Sequence, residues 1–408
     1  MDKPIFEATF AHEGVLVRVD LLVPQADGWH VAEVKNTTSV KGYHLGDLAT
    51  QLWVMRGAGV PIATAAIRHL DRTFTLTHEG DYAGLFLDTM VHDQLGPIIA
   101  GRAGIVSAAR AMLQDREPER DMGAHCDAPF RCSFKGHCGR HMPRPSIWPV
   151  LLLPDTKGKQ VARKWLDSGV ADLTQVPAGT MPTVKLARVH EATLSGTAYH
   201  DREAIRVEVA GWAFPRTYLD FETIQFAIPR WLGTSPFTQV PFQFSAHVET
   251  ADGQVTHREF LSLDGKDPRR GCAEALLTLP GEGAVVAWNA SFERGCLLRL
   301  ASLFPDLAPA LTSIATRLVD PLPIVRRHYY HRDMRGSWSL KAVLPTLGPT
   351  GYADLVEVKS GTDAQAGYLE AIDPATSPGR AAALRDALLD YCRRDTEAMR
   401  IVVEALTR

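Results

Sequence analysis

The sequence predicts an α/β protein built from two domains, and three observations carry that reading. Strand-like runs followed by one periodic helix open the chain. From residue 216 onward the pattern is two strands and then alternating helices and strands. Residues 143–213 between them are rich in turns and read as a connector. The expected divisions are therefore 1–142, 143–213 and 214–408, within the two or three domains that 408 residues allow.

Residues 5–35 hold three strand-like runs, "FEATFAH", "VLVRVDLLVP" and "WHVAEVKNT", with turns at "EG" and "QADG". Residues 41–58 have helical spacing, with Leu45, Leu48, Leu52 and Met55 on one side. "FTLTHEGDYAGLF" predicts a further strand and turn, and a helix is expected over about 88–114. A cysteine-bearing patch, "HCDAPFRCSFKGHCGRH", follows. The connector contains "PRPSIWPVLLLP" and a helix at "KQVARKWLDSG". In the last part "YLDFETI" is a strand, and "AVVAWNASFERGCLLRLA" is a strand, a turn at Asn289 and a helix. "DALLDYCRRDTEAMRIVVEAL" is an amphipathic helix. There is no internal repeat and no low-complexity tract.

Composition is that of an ordinary globular chain: 45% hydrophobic, 22% charged, net charge −3. No global basic field is present, which argues against a protein that coats DNA. A nuclease remains open, because an acidic metal site offsets a local basic groove. No run is long and apolar enough to span a bilayer, and "MDKPIFEATF" lacks an apolar signal core, so a cytoplasmic protein is expected. In that compartment six cysteines point to metal or burial rather than to a disulfide framework. Cys272, Cys296 and Cys392 stand in apolar helical contexts and read as buried thiols.

Asp220 and Glu222 alternate onto one face of the "YLDFETI" strand. Two like charges on an apolar strand are costly unless they pair or bind a metal. Glu293 opens a helix downstream, and Tyr391 and Asp395 share a face of the last helix, four residues apart. Phosphodiester cleavage needs a nucleophilic hydroxide and a stabilised leaving oxygen, and two divalent ions about 3.5–4 Å apart supply both. Mg²⁺ and Mn²⁺ prefer carboxylate ligands. Asp220, Glu222, Glu293 and Asp395 are therefore the candidate ligands, with Tyr391 placed to orient the attacking water. The run "RRHYYHRDMRGSWSLK" adds Arg326, Arg327, Arg335 and Lys341 for phosphates, and Tyr329, Tyr330 and Trp338 for stacking on unpaired bases.

The order of these motifs resembles the DnaQ-like 3′–5′ exonucleases of the RNase H-like superfamily, in their DEDDy subgroup, over roughly 214–408. Asp220 and Glu222 match its Asp-x-Glu strand, "NASFE" its Asn-x-x-Phe-Asp segment with Glu293 in place of aspartate, and "YCRRD" its Tyr-x-x-x-Asp. The extra methylene at Glu293 shifts a ligand by about 1.5 Å. "VDPLPIVRR…SLKAVLP" also looks like the family's aspartate strand and Ser-Leu helix. "PFQFSAHVE" is similar to bacterial proteins carrying a domain of unknown function next to a RecB-like nuclease. The resemblance implies an RNase H-like α/β domain and a Mg²⁺- or Mn²⁺-dependent exonuclease.

In the first part, Asp20 lies in one strand and Glu33 and Lys35 alternate onto one face of the next. Two acids and a lysine bind Mg²⁺, position a water and stabilise charge at a phosphate. This resembles the RecB-like branch of the PD-(D/E)XK nucleases, whose mixed sheet with helices is the fold implied here. Gln51 matches that branch's glutamine helix, where Met55 stands in place of the usual tyrosine. His44 is close in sequence to this set. Cys126, Cys132 and Cys138 are evenly spaced, as in the cysteine trio of RecB-like nucleases of the CRISPR-associated and AddB kinds. The resemblance implies a 4Fe–4S cluster, with thiolates suited to iron–sulfur chemistry. Its fourth cysteine and an upstream helix are not found before Cys126, so an N-terminally truncated domain is expected. Zinc completed by His125, His137 or His141 is the rival occupant.

The expected function is a metal-dependent nuclease on DNA or RNA, chiefly a 3′–5′ exonuclease on single strands, with an impaired N-terminal site. The competing reading, motivated by Glu293 and Met55, is a catalytically inactive nucleic-acid-binding or scaffold protein. A third is a zinc-stabilised structural protein.

Overall fold

In the computed structural model, which describes residues 3–141 and 146–408, the chain divides into two units. The first comprises residues 1–143 and 225–238, the second 144–224 and 239–408.

The first unit is built on a five-stranded mixed sheet in the order β1 (Ile5–His12), β2 (Val15–Gln25), β3 (Gly28–Lys35), β4 (Ile62–Leu70), β5 (Phe86–Met90). Glu13 and Gly14 both take positive φ in the β1–β2 turn, as a tight two-residue hairpin turn requires. At Gly28 a Cβ would stand 2.6 Å from the Pro61 carbonyl oxygen, so only glycine fits that approach. β3 and β4 are parallel. Their crossover carries the helix Gly42–Gly57, whose Leu48, Leu52 and Met55 pack on Val19, Leu22, Val31 and Ile67.

Two local expectations are corrected, and one strand was not foreseen. Ile62–Leu70 is a strand, and "FTLTHEGDYAGLF" is irregular until Phe86. Leu76 instead pairs its backbone with Gly233 and Thr234, and Tyr82 donates to the Pro229 carbonyl at 3.1 Å, within the same unit. The single helix expected over 88–114 is a strand to Met90, then helices Gly96–Ala100 and Arg102–Gln114. Antiparallel pairing with β4 holds Phe86–Met90 extended, and Pro97 starts a helix where its missing N–H costs nothing.

The second unit is described by itself. β6 (Tyr199–His200) pairs with β12 (Tyr329–Tyr330). The main mixed sheet uses β7 (Arg216–Ile224), β8 (Val240–Glu249), β9 (Val255–Leu261), β10 (Val285–Val286) and β11 (Leu318–Val319), in the order β11-β10-β7-β8-β9. β7 is antiparallel to β8 and parallel to β10. Alternation along β7 serves two cores. Leu219 and Phe221 join the helices Arg269–Leu276 and Ser291–Leu303, while Tyr218 joins the side where the helix Pro378–Thr407 buries Met399, Val402 and Leu406. Residues 146–213, expected as a connector, contribute Val150, Leu153, Leu173, Leu186 and Val189 to this second core. Among the described residues no helix is long and apolar enough to cross a membrane.

Candidate metal centre

β7 is the middle strand of its sheet, so its side chains are covered on both faces. Asp220 and Glu222 point together toward the helix Pro378–Thr407, which turns Tyr391, Cys392 and Asp395 toward them. One ligand oxygen from each of Asp220, Glu222 and Asp395 lies within 4.8 Å of the others. Among the described residues this is the only set of three such groups that converges so closely. Glu222 is buried, and Asp220 and Asp395 are half-buried. The Cys392 thiol is 3.8 Å from Asp220 Oδ2.

The electrostatics of this group are those of a site short of positive charge. Burial, then Asp395, pushes the Glu222 carboxyl up to about 8, against the opposing pull of Lys341. Burial, followed by Asp395, Glu222 and Glu293, raises Asp220 well above the carboxylate range. Asp395 is raised by burial even though the hydroxyls of Tyr352 and Tyr391 and the charge of Lys341 pull it down. Repulsion of this kind favours a multivalent cation with oxygen ligands.

Glu293 enters from the start of the helix Ser291–Leu303. It is 2% exposed, its Oε2 has no hydrogen-bond partner, and burial pushes its pKa up to about 8. Glu293 thus adjoins the three acids without joining their 4.8 Å group. Asp320 sets its approach. It accepts from the Asn289 and Ala290 amides at 3.1 Å each, fixing the turn in which Asn289 takes φ +68°. Glu293→Asp, which shortens this arm, is expected to leave Mn²⁺ affinity equal or higher. A calorimetric Mn²⁺ titration checks this, and loss of binding would show a centre built around the longer side chain.

Two residues complete the centre. Tyr352, which the sequence did not single out, donates to Asp395 Oδ1 at 2.5 Å. Lys341 donates to Tyr391 Oη at 2.9 Å and to the Lys359 carbonyl at 2.5 Å. Its ammonium lies 4.6 Å from the Tyr391 ring centroid and 5.2 Å from that of Tyr352.

The aromatics of the basic run are placed otherwise than expected. Tyr329, Tyr330 and Trp338 are 3%, 1% and 6% exposed, within the core, so their faces cannot stack on bases. Trp338 donates to the Tyr329 carbonyl at 3.0 Å. Arg327 pairs with Glu208, Arg335 donates to the Ile147 carbonyl at 3.2 Å, and Arg326 is exposed. Of the run, only Lys341 reaches the acids.

In the first unit the structure brings Glu33, Lys35 and Gln51 together. Gln51 donates to Glu33 Oε2 at 2.6 Å, and Lys35 donates to Glu33 Oε1 and to Asp47 Oδ2 at 2.5 Å each. Burial pushes Glu33 up to about 7. Asp20 accepts from the Val34 amide at 2.7 Å and adds repulsion at Glu33. His44 is buried and accepts from the Lys41 amide through Nδ1. Asp47 was not anticipated, although it stands one turn before Gln51 on the same helix face.

The sulfurs of Cys126, Cys132 and Cys138 do not converge with a third ligand within 4.8 Å among the described residues. They do line one cavity of about 390 Å³, together with His125 and His137. The His141 side chain lies outside the described residues. Cys272, Cys296 and Cys392 are buried.

A family profile described as a domain of unknown function (DUF2779) matches residues 217–339. The matched stretch contains Asp220, Glu222 and Glu293 and stops short of Lys341, Tyr391 and Asp395. No nuclease family is identified. No curated protein and no solved structure matches the chain.

Proposed function

We propose that this protein is a divalent-metal-dependent nuclease whose second unit, read as an RNase H-like exonuclease domain of the DEDDy kind, trims 3′ ends of single-stranded DNA or RNA. The observation that carries the reading is the convergence of Asp220, Glu222 and Asp395 from a central strand and a distant helix. The strand order supports it: numbered from β7, the sheet runs 3-2-1-4-5, with Asp220 and Glu222 on its middle strand. Their donor set, all carboxylate and short of positive charge, fits Mg²⁺ or Mn²⁺. Such an ion, when bound, supplies Lewis-acid stabilisation of charge at the phosphate. The chain's own part is to hold the three carboxylates converged, and to keep the Tyr391 hydroxyl beside Asp395 to orient water.

The first unit is read as a RecB-like PD-(D/E)XK domain with a weaker site. Lys35 is already held by two carboxylates, and Met55 is buried in the core where a tyrosine was expected. The cysteine cavity is read as a metal site. Anaerobically purified protein is expected to carry iron, or zinc, by elemental analysis; finding neither would leave the three thiols structural.

The experiment that tests the whole reading uses 3′- and 5′-labelled single-stranded DNA and RNA with Mn²⁺, Mg²⁺ or EDTA. A ladder shortening from the 3′ end, abolished by EDTA, is expected. Absence of cleavage in every arm would favour the inactive scaffold.

A further inference from the structure

Residues 347–360 form neither helix nor strand, yet they run from one carboxylate of the acidic centre to another. Near their start Tyr352 donates to Asp395 Oδ1 at 2.5 Å. Just past their end stands Gly361, where a Cβ would lie 3.8 Å from Glu222 Oε2. Little of this strap from residue 348 onward is held by burial: only Leu355 and Val358, 7% and 2% exposed, are sunk in the protein. Polar ties hold the rest. Arg394, the residue before Asp395, donates to Asp354 through two hydrogen bonds at 3.0 and 2.8 Å and also to the Gly351 carbonyl. It thus grips the strap on both sides of Tyr352 while Asp395 takes the hydroxyl. At the far end the Lys359 amide and the Ser360 hydroxyl donate to Asp363 at 3.1 and 2.9 Å, seating the strap on the helix Gly361–Ala371.

The consequence falls on Asp395. The terminal torsion of an aspartate is broad, and the neighbouring acids repel its carboxylate. A hydroxyl on Oδ1 sets the plane in which that carboxylate meets a cation. Tyr391, whose hydroxyl also bears on Asp395, rides on the same helix and moves with it. Tyr352 ties the ligand to a separate segment, one that also abuts Glu222. Mg²⁺ demands near-octahedral geometry at about 2.0–2.1 Å, whereas Ca²⁺ accepts about six to eight oxygens at about 2.3–2.6 Å in flexible arrangements. A carboxylate free to turn therefore costs Mg²⁺ more than it costs Ca²⁺.

We propose that Tyr352, delivered by the strap over the centre, determines which ion the centre takes: by fixing Asp395 it makes the three carboxylates a rigid site that prefers Mg²⁺ to Ca²⁺. This rests on the metal-centre reading and adds to it the residue that sets its selectivity. Tyr352 is a positioning residue, acting through Asp395, and Arg394 acts one step further out, through the strap.

The test uses the full chain with Tyr352→Phe, which keeps the ring beside the Lys341 ammonium, 5.2 Å away, and removes only the hydroxyl. Arg394→Gln loosens the strap and leaves that hydroxyl in place. Mn²⁺ binding is followed by electron paramagnetic resonance, Mg²⁺ and Ca²⁺ are measured by competition against it, and Asp220→Asn marks which binding belongs to this centre. Tyr352→Phe is expected to lose ~10–100-fold in Mg²⁺ affinity, the scale for removing a partner that orients a metal ligand. Its Ca²⁺ affinity should stay within about threefold, so the Mg²⁺-over-Ca²⁺ preference collapses. Arg394→Gln should shift the preference in the same direction by a smaller factor. A preference unchanged in Tyr352→Phe would overturn the proposal. Equal loss of both ions, with a lower melting temperature in EDTA, would also overturn it and leave the hydroxyl a structural pin. Selectivity lost in Tyr352→Phe but intact in Arg394→Gln would overturn the strap's part. Binding by the unchanged protein that Asp220→Asn does not alter would instead overturn the metal-centre reading, and this proposal with it.

Discussion

Asp220→Asn is expected to stop 3′-end trimming, with a loss of at least ~10²–10³-fold, the scale seen when one preorganised electrostatic group is removed from a reacting centre. Asp220 is the acid on which the other three bear: Asp395, Glu222 and Glu293 all raise its pKa. The amide removes a ligand and, with it, the repulsion the folded chain bears without metal. The variant should therefore melt at an equal or higher temperature in EDTA while its response to Mn²⁺ shrinks. That pairing separates a functional loss from unfolding. Lys35→Ala supplies the contrast, since Lys35 is bound between Glu33 and Asp47 in the other unit; it should change trimming little. Product ladders from 3′- and 5′-labelled oligonucleotides check both. If Lys35→Ala abolishes cleavage and Asp220→Asn spares it, the first unit is the enzyme.

What the sequence made legible follows from periodicity. Asp220 and Glu222 share a face because a strand alternates, and Tyr391 and Asp395 because a helix repeats within one turn. Those local rules delivered the three converging acids. β4 escaped because Ala65, Ala66, Ile67, His69 and Leu70 are buried on both faces, which erases the alternation by which a strand is recognised. Tyr352 escaped because it stands outside any helix or strand, so only tertiary folding brings its hydroxyl to Asp395. The opposite error occurred at Tyr329, Tyr330 and Trp338. Basic neighbours made them look like a stacking surface, whereas pairing of β12 with β6 turns the tyrosines into the core. Charge density along a chain reports exposure of the cations and says nothing of the aromatics between them.

The stability of the metal-free protein should fall as pH rises toward 8, and Mn²⁺ should reverse the trend. Glu222 and Glu293 are each pushed from an ordinary 4.5 to about 8, first by burial. Between those values the folded chain holds protons that the unfolded chain has released. Unfolding then releases protons, and rising pH favours it, by up to ~1.4 kcal/mol per pH unit for each such proton. Above about 8 both groups are ionised in either state and the slope disappears. His247 works the other way at lower pH: burial holds it near 4 against an ordinary 6.5, so it adds stability as pH rises to 6.5. Glu33, which burial raises to about 7, slopes the same way below that value, so the window that isolates Glu222 and Glu293 is about pH 7 to 8. Divalent metal binds the ionised forms, so its stabilisation grows through that window, reaching about 2.7 kcal/mol at a hundredfold excess over Kd. Melting curves across the window with EDTA or MnCl₂ measure both effects, and Glu222→Gln should flatten the EDTA series. Stability that rises with pH in EDTA, or a metal shift as large at the acid end as at pH 8, would show that these acids do not titrate as a cation site.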